Sequence, residues 1–269
     1  MFIGNRNFEL GTTTYVMGIL NVTPDSFSDG GKFSDIDAAL KHAEEMVDDG
    51  VDIIDIGGES TRPWGYTLLS DEEEMSRVLP VIEAVKRNFD VPVSIDTYKS
   101  KVAKAAVAAG ADLINDIWGL KYDEKLAEVI ARTNVPCCLM HNRKEQDYND
   151  FLTDMVKDLE ETIAIAEKAG IHKDKIILDP GVGFAKTYEM NLAAINHLDV
   201  LTAMGYPVLL GTSRKSVIGL TLDLPVTERE EGTLVTTIWA VQHHCDFVRV
   251  HNVKANKRAI QMAEAIRKA

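Results

Sequence analysis

Basic residues are scarce in this chain. Its 29 lysines and arginines stand against 42 aspartates and glutamates, which gives a formal net charge of -13. An acidic balance of this size opposes nonspecific binding to nucleic acid, which needs a basic surface. A local basic pocket for a small anion stays open, because net charge says nothing about a single site.

Long apolar runs are also missing. No run approaches the roughly 18 apolar residues that a membrane span needs. Residues 1–10 include Asn5, Arg6 and Glu9 and have no apolar core, a pattern that argues against a secretory signal peptide. We therefore expect a cytoplasmic protein without a membrane partner.

Cysteine is rare, with three residues in 269. Cys137 and Cys138 are adjacent, which disfavours a bond between them, and Cys245 lies far along the chain. None belongs to a Cys-x-x-Cys motif, and no histidine lies at zinc-finger spacing from them. We expect three buried thiols in a reducing environment.

Short apolar runs, by contrast, recur along the whole chain, and amphipathic stretches of helical length separate them. The eight runs are Tyr15–Leu20, Ile53–Ile56, Val93–Ile95, Leu113–Ile114, Cys137–Met140, Ile176–Leu178, Val208–Leu210 and Phe247–Val250. A strand followed by a helix, repeated eight times, is typical of a (β/α)8 or TIM barrel of the α/β class. The length of 269 residues suits one such barrel, so residues 1–269 are predicted to form a single domain.

Three segments outside this repeat need their own interpretation. Asn5 and the Gly11–Thr14 segment predict a short hairpin before the first barrel strand, which we expect to close the bottom of the barrel. Residues 21–35 and 57–70 predict two strand-to-helix loops far longer than the usual 2–6 residues. Such loops on the catalytic face are candidate lids, and a tolerated surface insertion is the alternative.

Two helix starts carry the residues of a capping box. The pairs are Ser70 with Glu73 and Thr227 with Glu230. In a capping box the first side chain accepts a hydrogen bond from the backbone amide three residues later. We therefore expect helices to begin next to Ser70 and Thr227.

Polar side chains end three of the predicted strands. They are Asp96, Asn115 and Asp179. Two carboxylates and an amide bind a metal, act as acid and base, or hold a heterocycle with several N–H donors, and these alternatives stay open. The lack of a histidine near either aspartate argues against zinc. Asp96 also fits a helix N-cap, and Phe184 is placed to stack on a ring.

A cationic segment follows the seventh predicted strand. Gly211–Ser216 ends in Lys215 and Ser216 at a predicted helix start, where amide groups and the lysine charge favour an anion or a polar ligand. A solvated cationic turn is the alternative. Arg249 and His251 alternate along the eighth strand and so share one face. We expect both in an anion-binding pocket.

Long motifs of this sequence resemble those of the dihydropteroate synthases, a family of pterin-binding transferases in folate synthesis that sulfonamides inhibit. The resemblance covers nearly the whole chain. Its motifs are Met17–Gly31, Asp55–Pro63, Ser94–Thr97, Asn115–Asp116, Asp179–Phe184, Gly211–Ser216 and Arg249–His251. It implies a homodimeric, Mg2+-using enzyme that joins a dihydropterin methyl diphosphate to p-aminobenzoate and releases diphosphate.

The resemblance also implies roles for individual residues. Those implied in catalysis are Lys215, Arg249, Asp96 and Asp179. Those implied to hold the pterin are Thr61, Asp96, Asn115, Met140, Asp179, Phe184, Lys215 and Arg249. Those implied to bind diphosphate are Asn21, Arg62, Arg249 and His251, with Mg2+ at Asn21. Those implied to bind p-aminobenzoate are Phe33, Arg62, Lys215 and Ser216.

Two other functions compete with this one. A pterin-dependent methyltransferase on a related barrel would share the pterin pocket but lack the segment of residues 21–31 and the Lys215–Ser216 pair. A catalytically silent pterin-binding relative would have lost some of the implied catalytic or binding residues, and all are present. Both features favour the synthase.

The sequence departs from the family pattern in three places. Trp64 stands between Pro63 and Gly65, where the family has Arg-Pro-Gly. Asn252 follows His251, where the family has aspartate. Asn142-Arg143 follow His141 in place of Met-Arg or Met-Gln. The first departure puts the geometry of the second loop in doubt.

Overall fold

The computed structural model describes residues 1–22, 31–59 and 68–269, and of residues 31–35 it describes the backbone alone. The chain begins with an antiparallel hairpin of two short strands, β1 (Phe2–Ile3) and β2 (Arg6–Asn7). This confirms the hairpin that the sequence predicted before the first barrel strand.

Eight parallel strands in the described residues form a barrel. They are β3 (Tyr15–Asn21), β4 (Ile53–Gly57), β5 (Val93–Asp96), β6 (Leu113–Asp116), β7 (Cys137–Met140), β8 (Ile176–Asp179), β9 (Leu209–Leu210) and β10 (Phe247–Val250). Each pairs with its sequence neighbour from β3 to β8, while β10 lies between β3 and β9. A parallel bridge between Leu178 of β8 and Val208, the residue before β9, closes the barrel between these two strands. The predicted (β/α)8 architecture is confirmed.

Helices alternate with these strands. They are α1 (Gly31–Asp48), α2 (Asp71–Asn88), α3 (Ser100–Ala108), α4 (Leu126–Thr133), α5 (Phe151–Ala169), α6 (Tyr188–Asn196), α7 (Asp199–Thr202), α8 (Ser216–Leu222), α9 (Glu230–Gln242) and α10 (Val253–Arg267). Among the helices of the described ranges, none combines the length and the apolar character of a membrane span.

The amino-terminal half of the barrel interior is an apolar layer. It consists of Met17, Ile53, Leu113, Cys138, Ile177, Leu209 and Phe247. Ile3 and Phe8 of the hairpin region are fully buried against this layer. The hairpin therefore closes the bottom of the barrel, as expected, and leaves the carboxyl ends of the strands as the open face.

A second apolar layer lies between the strands and the surrounding helices. Outward-facing strand residues such as Val16, Ile54 and Ile95 pack there against helix residues such as Ile82. Cys137 and Cys245 lie in this layer and Cys138 in the interior one. All three are buried and free, which confirms the prediction from their spacing.

One of the two capping predictions is confirmed and the other is wrong. The Ser70 side chain accepts a hydrogen bond from the Glu73 amide and begins α2 as expected. The Thr227 pair fails because residues 226–228 form a 3-10 turn, and α9 begins afterwards at Glu230 without a side-chain cap.

Both long loops lie largely outside the described residues. The described chain stops at residue 22 and resumes at residue 31, and it stops again at residue 59 and resumes at residue 68. Helix α1 begins at Gly31, so the first connection is shorter than the predicted range of residues 21–35.

Candidate active site

A polar layer fills the open end of the barrel. Side chains two residues apart on a strand share one face, so each inward apolar residue is followed by another inward residue two positions later. The second set is Ile19, Asp55, Asn115, Met140, Asp179, Gly211 and Arg249, and Asp96 follows buried Ser94 of β5 in the same way. The barrel register thereby brings the predicted strand-end residues to one mouth.

Asp55 belongs to this layer and was missed as a site residue. It is fully buried. It lies within the predicted apolar run Ile53–Ile56, where it was counted only as part of a strand. The signal was available, because an aspartate inside an apolar strand needs a buried partner.

Arg249 is that partner. Its Nε donates to Asp55 Oδ2 at 2.6 Å and its Nη2 donates to Asp96 Oδ2 at 2.7 Å. Asp55 Oδ2 also accepts a hydrogen bond from Asn115 Nδ2 at 3.3 Å. The alternative of Asp96 as a helix N-cap is wrong, because Lys99 occupies the N-cap of α3.

Burial disfavours the charged form of Asp96, which shares the Arg249 guanidinium with Asp55. Burial raises the pKa of Asp96 from 3.8 to about 7, Arg249 opposes the rise, and the Asp55 charge adds to it. Asp55 Oδ1 and Asp96 Oδ1 are buried and have no hydrogen-bond partner among the described residues. The mouth therefore offers two acceptor oxygens to a ligand that carries N–H donors.

Asp179 and Lys215 are two further charged groups close together at the mouth. A side-chain carbon at Gly211 would lie 3.6 Å from Asp179 Oδ2 and 3.9 Å from Lys215 Nζ, so both flank this glycine. Burial raises the pKa of Asp179, while the Lys215 charge opposes the rise. Burial lowers the pKa of Lys215 from 10.5 to about 8, against the pull of Asp179.

An apolar wall stands beside this pair. Met140 is buried and packs with Tyr98, Ile117, Trp118 and Phe184. Lys215 Nζ lies 4.9 Å from the centroid of the Phe184 ring. An aromatic ring and a thioether next to hydrogen-bonding groups suit a flat, polar heterocycle.

Three further implied residues, His251, Asn21 and Ser216, lie at the rim. His251 Nδ1 is 2.9 Å from Ser213 Oγ, which connects the end of β10 to the segment after β9. Asn21 ends β3, and its Oδ1 is 3.8 Å from the point where a Gly57 side-chain carbon would lie. Ser216 is exposed and is the first residue of α8, directly after Lys215.

Known proteins share this sequence and fold. Residues 17–251 match the family described as pterin binding enzyme. The dihydropteroate synthase of Clostridium beijerinckii is 60% identical over 99% of both chains. A Clostridium difficile dihydropteroate synthase, solved in the presence of pteroic acid, superposes with a TM-score of 0.95 at 47% identity, covering 98% of this chain and 100% of the other. A Xanthomonas albilineans dihydropteroate synthase with 4-aminobenzoic acid superposes with a TM-score of 0.92 at 41% identity, covering 96% of this chain and 95% of the other.

The chain belongs to the dihydropteroate synthase family. It is an enzyme of the transferase class, and the resemblance seen in the sequence motifs is confirmed.

One departure of this dihydropteroate synthase relative from the family pattern is explained by the structure. Asn252, where the family pattern has aspartate, accepts a hydrogen bond from the Ala255 amide and caps α10. Both residue types serve as N-caps, so this departure preserves the helix start. Thr61, Arg62 and the Phe33 side chain lie outside the described residues, so their implied roles stay predictions.

Proposed function

We propose that this chain condenses a 7,8-dihydropterin methyl diphosphate with p-aminobenzoate to give 7,8-dihydropteroate and diphosphate. The observation that carries the proposal is the ring of buried carboxylates at the barrel mouth. Asp55 and Asp96 each keep an acceptor oxygen without a partner in the described chain. A pterin presents an amidine-like edge of N–H donors, which carboxylates accept side by side.

The pterin is held from several sides in this proposal. Asp96, Asn115 and Asp179 accept or exchange hydrogen bonds with its ring edge. Lys215 donates to its carbonyl or ring nitrogen from the opposite side. Phe184 and the apolar wall behind it cover one face of the ring.

The chemistry calls for charge to be stabilised on the leaving group. An arylamine is a weak nucleophile, so the bond from carbon to diphosphate should break largely before the amine attacks. Arg249 and His251 then stabilise the diphosphate that forms. The same proposal needs Arg249 to exchange part of its contact with Asp55 and Asp96 for the anion. No side-chain nucleophile takes part.

Mg2+ fits the residues at the end of β3. Asn21 supplies an amide oxygen, and Gly57 leaves space between this oxygen and the Asp96 carboxylate. In the described residues no group of three or more His, Cys, Asp or Glu forms a complete metal site. That is the usual situation for Mg2+, which takes few protein oxygens together with substrate phosphates and water. Bound there, the ion would neutralise leaving-group charge.

The p-aminobenzoate site is proposed at the rim formed by Lys215 and Ser216. Ser216 offers a hydroxyl and an amide at the start of α8, where a carboxylate is favoured. Phe33 and Arg62 complete the site in this proposal. Phe33 was predicted to lie in the first long loop, but it belongs to the first turn of α1. Because Arg62 comes from the second long loop, p-aminobenzoate is expected to bind second.

The test is release of diphosphate from the pterin substrate with and without p-aminobenzoate, with the product identified by mass. Product of the mass of 7,8-dihydropteroate, formed only with both substrates and Mg2+, is expected. Pterin binding without turnover would favour the catalytically silent relative instead. Lys215→Ala should remove most of the activity while the circular dichroism spectrum stays native.

We also propose that the chain forms a homodimer through α6, α8 and α9. These helices contact one another. They expose Leu192, Leu220, Val235 and Trp239 on the surface. A contiguous apolar face of this kind usually marks a protein interface. Light scattering should give a dimer mass for the wild type and a monomer for Val235→Glu, and a monomeric wild type would contradict the proposal.

A further inference from the structure

The segment after β8 has an unusual backbone shape, and a single hydrogen bond joins two of its own backbone groups, with the Phe184 amide donating to the Gly181 carbonyl oxygen at 3.1 Å. Gly181 has φ of 68° and lies so close to His141 that a side-chain carbon there would collide with the His141 carbonyl oxygen. Ala185 has φ of 42°, which is unusual for a residue with a side chain. Other side chains therefore must hold this segment, residues 180–185, which we call the pterin loop.

The pterin loop positions two of the groups proposed to contact the pterin. Its Gly181 amide donates to Asp179 Oδ1 at 2.7 Å, and its Val182 carbonyl accepts from Lys215 Nζ at 2.5 Å. Phe184 itself lies in the loop and in the apolar wall. A shift of the loop would therefore move Asp179, Lys215 and Phe184 together.

Lys186 also holds the pterin loop. It is only 6% exposed. Its ammonium donates to the carbonyl oxygens of Gly181 at 2.9 Å and Phe184 at 3.0 Å. The third acceptor is His141 Nδ1, at 2.9 Å. Three N–H donors thus meet three acceptors within 3.0 Å, the His141 carbonyl oxygen lies at 3.5 Å, and no carboxylate of the described residues hydrogen-bonds to this ammonium.

The contact with Lys186 decides which nitrogen of His141 carries the proton. Burial lowers the pKa of Lys186 from 10.5 to about 7. In its protonated form Lys186 has no lone pair, so Nδ1 is then the acceptor and the proton lies on Nε2. Nε2 then donates to Asp158 Oδ2 at 2.9 Å. Burial lowers the pKa of His141 to about 4, against the pull of Asp158, so the ring stays neutral.

Asp158 is in turn fixed by Arg143. Arg143 Nε donates to Asp158 Oδ2 at 2.6 Å and Nη2 donates to Oδ1 at 3.2 Å. A paired arrangement of this kind is the strong form of an arginine–carboxylate contact. Asp158 lies on α5 and makes no hydrogen bond to the pterin loop, so its influence on the loop would pass through His141.

We propose that Lys186 is a positioning residue for pterin binding and that the chain Lys186–His141–Asp158 orients it. Neutral His141 donates to the Asp158 carboxylate through Nε2 and accepts from the Lys186 ammonium through Nδ1. Asp158 thereby orients the ring that fixes the ammonium, which would otherwise contact only carbonyl oxygens. The ammonium then clamps the ends of the pterin loop. This role rests on the proposed function, because it concerns the affinity of the same pterin pocket. Lys186 itself need not touch the substrate.

The test measures two ligands separately by calorimetry, 6-hydroxymethylpterin and inorganic diphosphate with Mg2+. Lys186→Met keeps the length of the side chain and removes its donors. It should weaken pterin binding by at least about tenfold, because hydrogen bonds to a charged group are lost. Diphosphate affinity should stay within about twofold, since its proposed ligands are fixed by other contacts. An equal loss of both affinities would overturn the proposal in favour of a general structural role.

A second variant keeps the proposal testable if Lys186→Met does not fold. Asp158→Asn preserves shape and should weaken pterin binding in the same direction. Asp147→Asn is the matched control, because exposed Asp147 also contacts Arg143, at 3.3 Å, but not His141. Unchanged pterin affinity in Asp158→Asn, or an equal loss in Asp147→Asn, would refute the chain of contacts.

When Lys186→Met and Asp158→Asn both fold, the double variant measures the energetic coupling between these two residues. The double variant should lose less pterin affinity than the sum of the two single changes, because both act through His141. Additive losses would overturn the proposal. A wild-type chain that binds diphosphate but no pterin would overturn the proposed function itself, and this role with it.

Discussion

Replacing Lys215 with methionine should abolish activity and yet stabilise the ligand-free protein. The ammonium of Lys215 donates a hydrogen bond to the Val182 carbonyl oxygen at the barrel mouth, close to the Asp179 carboxylate. Burial lowers its pKa from 10.5 to about 8 although Asp179 opposes this. Charging this lysine is therefore less favourable in the folded chain than in the unfolded chain.

The sign and the size follow from that pKa. Below about pH 8 Lys215 is protonated in both states, and a fall from 10.5 to about 8 corresponds to about 3 kcal/mol of lost stability. Lys215 is partly exposed, so water screens part of this cost, and we expect about 1–2 kcal/mol. The cost fades as the pH rises from about 8 to 10.5, where the folded form no longer holds the proton.

The assay is urea unfolding of the wild type and Lys215→Met at about pH 7 and about pH 10. The variant should be more stable at the lower pH, and the difference should shrink at the higher pH. Lys86→Met is the control, because Lys86 pairs with Asp112 at the opposite end of the barrel. A Lys215→Met chain that is less stable than the wild type at about pH 7 would refute the reasoning.

Three further predictions concern binding and stability. Asp179→Asn should weaken pterin binding by about 1.5–3 kcal/mol and p-aminobenzoate binding by less, because the amide NH2 group would face an N–H donor of the pterin. Equal losses of both affinities in calorimetry would contradict this. Asp55→Ala should lower the free energy of unfolding by about 3–5 kcal/mol, because it breaks a buried pair with Arg249; a urea midpoint near that of the wild type would contradict it. Finally, p-aminobenzoate should bind weakly to the free enzyme and tightly once pterin, diphosphate and Mg2+ are present, which titration in either order can disprove.

Much of the site could be predicted because it depends on local patterns. Asp96, Asn115 and Asp179 end apolar runs, and strand periodicity alone places them on the inward face of the barrel. The helix start at Ser70 likewise depends on residues within one turn. The Thr227 pair failed on a local competition, because a 3-10 turn after Pro225 delays α9 by several residues.

The charged contacts could not be predicted in the same way. Sequence motifs implied that Arg249 binds diphosphate, but they did not reveal that its guanidinium is held by two carboxylates. Asp55 was missed because it was taken as part of a strand, although an acidic residue inside an apolar run already indicates a buried partner, whose identity only the fold reveals. Lys186 was passed over because a lysine after a glycine-rich loop usually lies in water.

By itself, the sequence determined the eightfold alternation of strands and helices, the open face of the barrel and most of the groups on it. These depend on periodicity and on motifs that are contiguous in the chain. Only the tertiary structure decided which charge meets which. Arg249 and Asp55 are separated by 194 residues, and Lys186 and His141 by 45. Pairings over such distances are fixed by the closure of the barrel and the packing of its loops, and no local pattern encodes them.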